Sequence, residues 1–223
     1  SRDPIEEAGG LNLYAFCRNN SLTTIDYLGL DIYVAIYYTR EDQPAFLHAA
    51  ETYKRNIEKS KGFNSRCDII ILKGVLTKED FKRVWDEIYQ ESQNSSQKIR
   101  ELHIFSHSRP GNISLKGRTC SSAEIEELPC LPWQNSGKIV CHGCRSGLPD
   151  SNGNSLIKSF ALSQKVTAQG QSGFSQFSKH KNYRTIFSII NPDTKKVYLW
   201  SYGDGGEDNT LGKAREPCEE YPQ

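Results

Sequence analysis

From Asp31 to about Ala168 the chain alternates short apolar runs with segments of helical period, and no other feature restricts its fold as strongly. Ile32–Tyr38 is apolar, β-branched and aromatic throughout, which predicts a strand buried on both faces. Pro44 to about Lys59 then places Phe46, Ala50, Tyr53 and Ile57 on one helical stripe. Asp68–Leu72 predicts a second strand. Thr77 is suited to cap a helix whose Phe81, Val84, Trp85 and Ile88 recur at i, i+3, i+4 and i+7. Glu101–Ser106 is a third strand, and Ser121 with Glu124 forms a capping box before a short helix. Lys138–Gly143 is a fourth strand, Asn154–Gln164 a helix and Lys165–Ala168 a fifth strand. Tyr183–Ile190 and Lys195–Tyr202 read as a C-terminal hairpin around Asn191-Pro192-Asp193-Thr194, and 203–223 as a loose tail. Strands and helices in alternation predict an α/β fold, a mostly parallel sheet flanked by helices.

In such sheets the functional side chains gather at the carboxyl ends of the strands. His107 stands where the third strand ends and Cys144 where the fourth ends, and neighbouring strands would bring the two together. A cysteine nucleophile needs a base to remove its proton and N–H donors for the oxyanion it creates. His107 is suited to the first role, and backbone N–H groups around Ser108, Gly143 and Cys144 to the second. Gly143 and Gly147 allow the sharp turn that would present the thiol. Alternation assigns Cys141 to the core and His142 to the opposite face as a partly buried structural imidazole.

Composition narrows the chemistry. Lys and Arg number 28 and Asp and Glu 27, for a net charge of +1, so no basic excess argues for nucleic acid as partner. No apolar run reaches bilayer-spanning length, and the opening Ser1-Arg2-Asp3-Pro4 carries no signal-peptide pattern and reads as a cut from a longer polypeptide. The seven cysteines, Cys17, Cys67, Cys120, Cys130, Cys141, Cys144 and Cys218, are odd in number and irregular in spacing, which argues against a disulfide framework. His48 and Glu51 with Cys141 and Cys144 superficially suggest a zinc deaminase. That pattern needs His-x-Glu and a Pro before the first Cys, and neither is present. His48 and Glu51 are expected to be solvated helix positions, and no metal or other cofactor is expected. A zinc-dependent deaminase or other nucleic-acid-modifying enzyme remains the alternative reading, with a catalytically inactive binding domain as a third.

LHIFSHS (102–108) followed by KIVCHGCRSG (138–147) resembles the signature of caspase-like, clan CD, cysteine peptidases. In that family one apolar strand ends in His-Gly and a later one in the nucleophilic Cys. The stretch 111–128 resembles the matching segment of self-processing protease domains in large bacterial toxins. The resemblance spans roughly 31–190 in layout and implies a three-layer sandwich. It also implies a cysteine endopeptidase that needs no cofactor, with His107 as catalytic base and Cys144 as nucleophile. Ser108 departs from the family's Gly after His. KVTAQGQSGFS (165–175) falls where the family places its substrate-binding strand and loop, which points to Gln169, Ser172 and Phe174.

Residues 1–30 differ in character, being rich in Gly, Asn, Leu and Tyr. RDPIEEAGGLNLYAFCRNNSLTTIDYLGL closely resembles the end of the RHS/YD-repeat core, with Glu6, Ser21 and Tyr27 departing from its Gly and two Pro positions. The family builds a β-cage shell that cuts its own chain after the final Leu. The resemblance implies that Asp3 and Asp26 match the cleaving aspartates and that Leu30–Asp31 is the cut bond. It further implies that 31–223 is a toxin payload, secreted or delivered into a target cell as in interbacterial competition. Its implied partners are a protein substrate in that cell, a cognate immunity protein and the upstream RHS shell.

Overall fold

The structure is a computed structural model, and it describes residues 30–40, 44–171, 173, 175, 177 and 218–220. The first strand, β1 (Asp31–Tyr38), is buried along its whole length apart from half-buried Tyr37. A strand with one face in water would alternate; this one is apolar on both faces because helices cover both. α1 (Ala45–Glu58) follows, burying Phe46, Ala49, Ala50, Thr52 and Tyr53, while Ile57 packs half-buried at the edge of the core. Next come β2 (Ile69–Val75) and α2 (Lys78–Ser95). Thr77 accepts from the Asp80 N–H and the Asp80 carboxylate accepts from Thr77 N–H, so the expected cap is a full capping box. Phe81, Val84, Trp85 and Ile88 are all buried, as the helical period requires.

β3 (Lys98–Phe105) leads into a small antiparallel sheet of β4 (His107–Arg109), β5 (Asn112–Ser114) and β6 (Thr119–Ser121), which the sequence reading did not anticipate. Each of its strands has only three residues, too few to show an alternation. Then follow α3 (Ser122–Glu126), capped by Ser121 and Glu124 as expected, β7 (Trp133–Cys141), α4 (Leu156–Gln164), β8 (Thr167–Gly170) and β9 (Cys218–Glu220).

The main sheet runs β2-β1-β3-β7-β8-β9; its first five strands are parallel and β9 is antiparallel to β8. The chain steps from β1 out to β2 and then back across β1 to β3. Parallel crossovers are right-handed, so the reversal puts α1 and α2 on opposite faces, and α4 on the side of α2. The packing agrees. Tyr53 of α1 stacks on His103 of β3 with centroids 4.2 Å apart, and Trp85 of α2 stacks on Phe160 of α4 at 5.8 Å. The expected three-layer α/β sandwich is therefore present.

The differences are local. The fifth strand begins at Thr167 rather than Lys165, because Lys165 closes α4 in the left-handed conformation at φ 55°. Asp68 stays outside β2 because its carboxylate accepts from the Asn64 and Asp31 N–H groups. Within the tail expected to be loose, 218–220 form the edge strand β9. The expected hairpin at 183–202 and nearly all of 1–30 lie outside the described residues. No helix among the described residues is long and apolar enough to cross a membrane.

Candidate active site

The site begins with strand parity. On β3, Glu101, His103 and Phe105 face α1, and His107 continues on that side beyond the strand end. On β7 the pairings Glu101↔Lys138 and His103↔Val140 put Lys138 and Val140 on the same face, with His142 following. Burial between sheet and helix explains why a line of rings lies there. Tyr53 stacks on His103, and the His142 ring lies 4.5 Å from Phe105 at 1° between planes. His103 Nδ1 and His142 Nε2 are 2.9 Å apart in the core. Burial first, then the charges of His103 and Lys138, hold the His142 imidazole well below its ordinary value. His142 is thus 1 % exposed, deeper than the partly buried position expected.

His107 lies beyond β3 as the first residue of β4, exposed on one side. Its other side is covered by two rings, Tyr38 from the end of β1 at 5.9 Å and Phe46 from α1 at 4.8 Å, both edge-on. That partial desolvation, and then the Arg40 charge, press the imidazole below its usual range. It is biased toward the neutral form that a base needs.

Cys144 follows β7 on a tight turn. Ser146 N–H donates to the Gly143 carbonyl at 3.3 Å and Leu148 N–H to the Arg145 carbonyl at 3.0 Å. Arg145 sits in the left-handed region at φ 54°. The Ser146 hydroxyl donates back to the Cys141 carbonyl at 2.7 Å, tying the turn to the strand it leaves. The two strand-end turns are joined directly, because Ser108 Oγ donates to the Cys144 carbonyl at 2.9 Å. Gly143 is where they touch: a Cβ there would lie 2.7 Å from Ser108 Cβ and 2.8 Å from the Ser106 carbonyl oxygen.

The Cys144 thiol is half-buried. Burial raises its pKa, opposed by N–H groups of Ser175 and of Cys144 itself and by the Arg145 charge. Cys141, by contrast, is core: burial pushes its thiol up to about 12. Described residues of the segment expected to bind substrate pack on this turn. Gln171, Gly173 and Ser175 make its backbone contacts, and Phe177 packs against Phe46 at 4.9 Å. Gln169 is a half-buried β8 residue paired with Val140; Ser172 and Phe174 lie outside the described residues, as do Asp3 and Asp26. Leu30 is exposed just before β1, its carbonyl accepting from Lys98 N–H at 3.4 Å.

Sequence reasoning overlooked Tyr38, Phe46, Ser175 and Phe177 as site residues. Phe46 was legible as apolar stripe, but nothing in the sequence said which strand end it would meet. His48 and Glu51 are half-buried rather than solvated. No cluster of three or more His, Cys, Asp or Glu side chains among the described residues could hold a metal ion. A cleft between β2 and α2, lined by Ile70, Leu72, Arg83 and Glu87, lies at the far edge of the sheet from both candidate residues. Neither models of known families nor curated proteins match the chain.

Proposed function

We propose that residues 31–223 are a caspase-like cysteine endopeptidase, the payload of an RHS-type toxin, with His107 and Cys144 as its working pair. One observation carries the reading. His107 opens β4 just past the carboxyl end of β3, Cys144 lies on the turn just past the carboxyl end of the adjacent parallel strand β7, and the Ser108–Cys144 hydrogen bond ties the two segments together. In the proposed reaction His107 takes the thiol proton as Cys144 Sγ attacks a substrate peptide carbonyl carbon. The tetrahedral oxyanion is met by backbone N–H groups of the two turns, around Ser108 and Gly143. Collapse breaks the C–N bond, and His107 returns the proton to the departing amine. Water, deprotonated by the same imidazole, then hydrolyses the thioester and frees the thiol. Neutral His107 and protonated Cys144 in the resting state suit this order of events, in which the proton moves during attack.

As a delivered payload the domain would act on a protein in the target cell and be neutralised by a cognate immunity protein in its producer. The resemblance of 1–30 to the RHS core end supports this setting, with Leu30–Asp31 as the release point and the upstream shell, through Asp3 and Asp26, as the cutting agent.

The test is toxicity and cleavage by Cys144→Ala and His107→Ala proteins of unchanged fold. Both are expected to be inactive, with new chain ends disappearing from the proteome of intoxicated cells. Full toxicity in Cys144→Ala would end the proposal. Failure of a thiol-reactive peptide probe to label the wild type would instead favour an inactive binding domain.

A further inference from the structure

The main sheet ends at β2, and one hydrogen bond shows which of that strand's backbone groups face outward. Thr39 N–H donates to the Val75 carbonyl at 2.8 Å, so the Val75 backbone points toward β1. The N–H and C=O of one strand residue share a side, and the side alternates along the strand. Ile69, Ile71 and Lys73 therefore point to β1, while Ile70, Leu72 and Gly74 present their N–H and C=O groups outward. No described residue bonds to that row. It stops at Leu76, whose carbonyl accepts from Lys116 N–H at 2.9 Å. A free row of this kind is a template for a further strand, and proteins commonly block it with Pro, a bulge or edge charges. β2 has neither Pro nor bulge. Its single charge, Lys73, is drawn onto Glu87 of α2 at 2.8 Å, and its remaining residues are apolar, half-buried up to Gly74.

The two faces of this edge show which strand fits it. The pairings of Ala35 with His103 and with Leu72 put Leu72 on the α1 face, together with Ile70 and Gly74. Ile71 and Lys73 are on the α2 face. A second copy laid antiparallel about a two-fold axis through Leu72 sets Leu72 against Leu72 and Ile70 against Gly74. All three outward residues then fall at hydrogen-bonded positions, so the free groups from 70 to 74 are paired. On the α1 face, Ile70 of one copy rests on the Tyr37 ring that covers Gly74 of the other, where a Cβ would lie 3.2 Å from that ring. On the α2 face, Lys73 of one copy lies opposite Ile71 of the other. Ile71 shares its cleft with Glu91, an exposed carboxylate with no ion pair among the described residues. An axis through Ile71 instead sets Gly74 against Asp68, outside β2, whose carboxylate is held by the Asn64 and Asp31 N–H groups.

We propose that β2 is a self-pairing edge: two copies of this chain join antiparallel through Ile69–Val75, centred on Leu72, and form one continuous sheet. The antiparallel arrangement leaves the two candidate active sites at opposite ends of that sheet. The pairing is independent of the peptidase reading.

The test is sedimentation equilibrium of the full chain across concentration, joined to a cross-link. The wild type is expected to pass from one chain mass to two as concentration rises. Glu91→Lys sets like charges around Lys73 and is expected to weaken the dimer about tenfold. Leu72→Pro removes an N–H that β1 does not use, which an edge strand tolerates, and is expected to weaken it about a hundredfold. Leu72→Cys places two thiols across the axis with Cα atoms about 5.5 Å apart, within disulfide reach. Mild oxidation should give a covalent dimer bridged from 72 to 72, identified by peptide mass, and Ile70→Cys, opposite Gly74, should give no self-bridge. A wild type that stays monomeric to near-millimolar concentration would overturn the proposal, and so would a dimer that forms no such bridge. A segment of the same chain seated on this edge would give the first of those results. Should Leu72→Pro not fold, the exposed helix variant Glu91→Lys still decides, an unchanged dimer counting against the pairing.

Discussion

The Ser108 side chain fills the space that a Cβ on residue 143 would need. Its hydroxyl reaches through that gap to the Cys144 carbonyl at 2.9 Å, so the absence of a side chain at Gly143 and the presence of one at Ser108 are a single fitted feature. Gly143→Ala is expected to destabilise the domain by about 1–3 kcal/mol through overpacking, measured by denaturant unfolding. Ser108→Gly in the same chain should restore only part of the loss, because the Ser106 carbonyl oxygen would still lie 2.8 Å from the new methyl group.

Acid should inhibit the proposed peptidase only below the usual histidine range. His107 must be neutral to accept the thiol proton, and burial with the Arg40 charge lowers its pKa from the ordinary 6.5. Activity is therefore lost as pH falls through that lowered value. Arg40→Gln removes one cause and is expected to move the acid limb of kcat/KM to higher pH, with the alkaline limb unmoved. A limb that stays in place would show that burial by Tyr38 and Phe46 alone sets it.

Stability should fall in acid through Glu101. Burial pushes this carboxyl up, but His103 and Lys138 more than reverse the effect and bring it down from 4.5 to about 2. Lys138 Nζ lies 3.1 Å and His103 Nε2 3.4 Å from its oxygens. A group with a depressed folded-state pKa adds stability that is fully present above its unfolded value. That contribution disappears as pH drops from about 4.5 toward 2. By the ~1.4 kcal/mol equivalent of one pK unit it amounts to roughly 3–4 kcal/mol. Glu101→Gln should flatten that part of the stability–pH curve, read by thermal unfolding across the acid range.

Arg145 offers a separation of backbone from charge. Its φ of 54° is strained for a residue with a Cβ and natural for glycine. Arg145→Gly keeps the N–H that binds Gly173 and is expected to gain about 0.5–1 kcal/mol of stability. It also removes a positive charge that favours the thiolate, so the Cys144 thiol should titrate higher in this variant. A loss of stability in Arg145→Gly would contradict the assignment of strain to the backbone, and an unmoved thiol titration the role given to the charge.

Much of this architecture is written in local patterns. β1 is apolar at nearly every position because both its faces are covered, and Phe81, Val84, Trp85 and Ile88 repeat at helical spacing because one face of α2 is covered. Thr77 and Ser121 mark helix starts through hydrogen bonds that span only three residues. Such signals survive in the sequence because the interactions behind them are short in range. The same patterns put His107 and Cys144 at strand ends. What they could not supply was the company those residues keep. Phe46, Tyr38 and Phe177 come from three separate segments, and Ser175 meets Cys144 from a segment beyond β8 with a helix and a strand between them. Strand order, β9 at the sheet edge and the pairing of His103 with His142 depend on contacts between residues far apart in the chain. Periodicity is a property of one element and its environment. Proximity between elements is decided by crossover handedness and by the packing of side chains from several elements at once, and for that the tertiary structure was required.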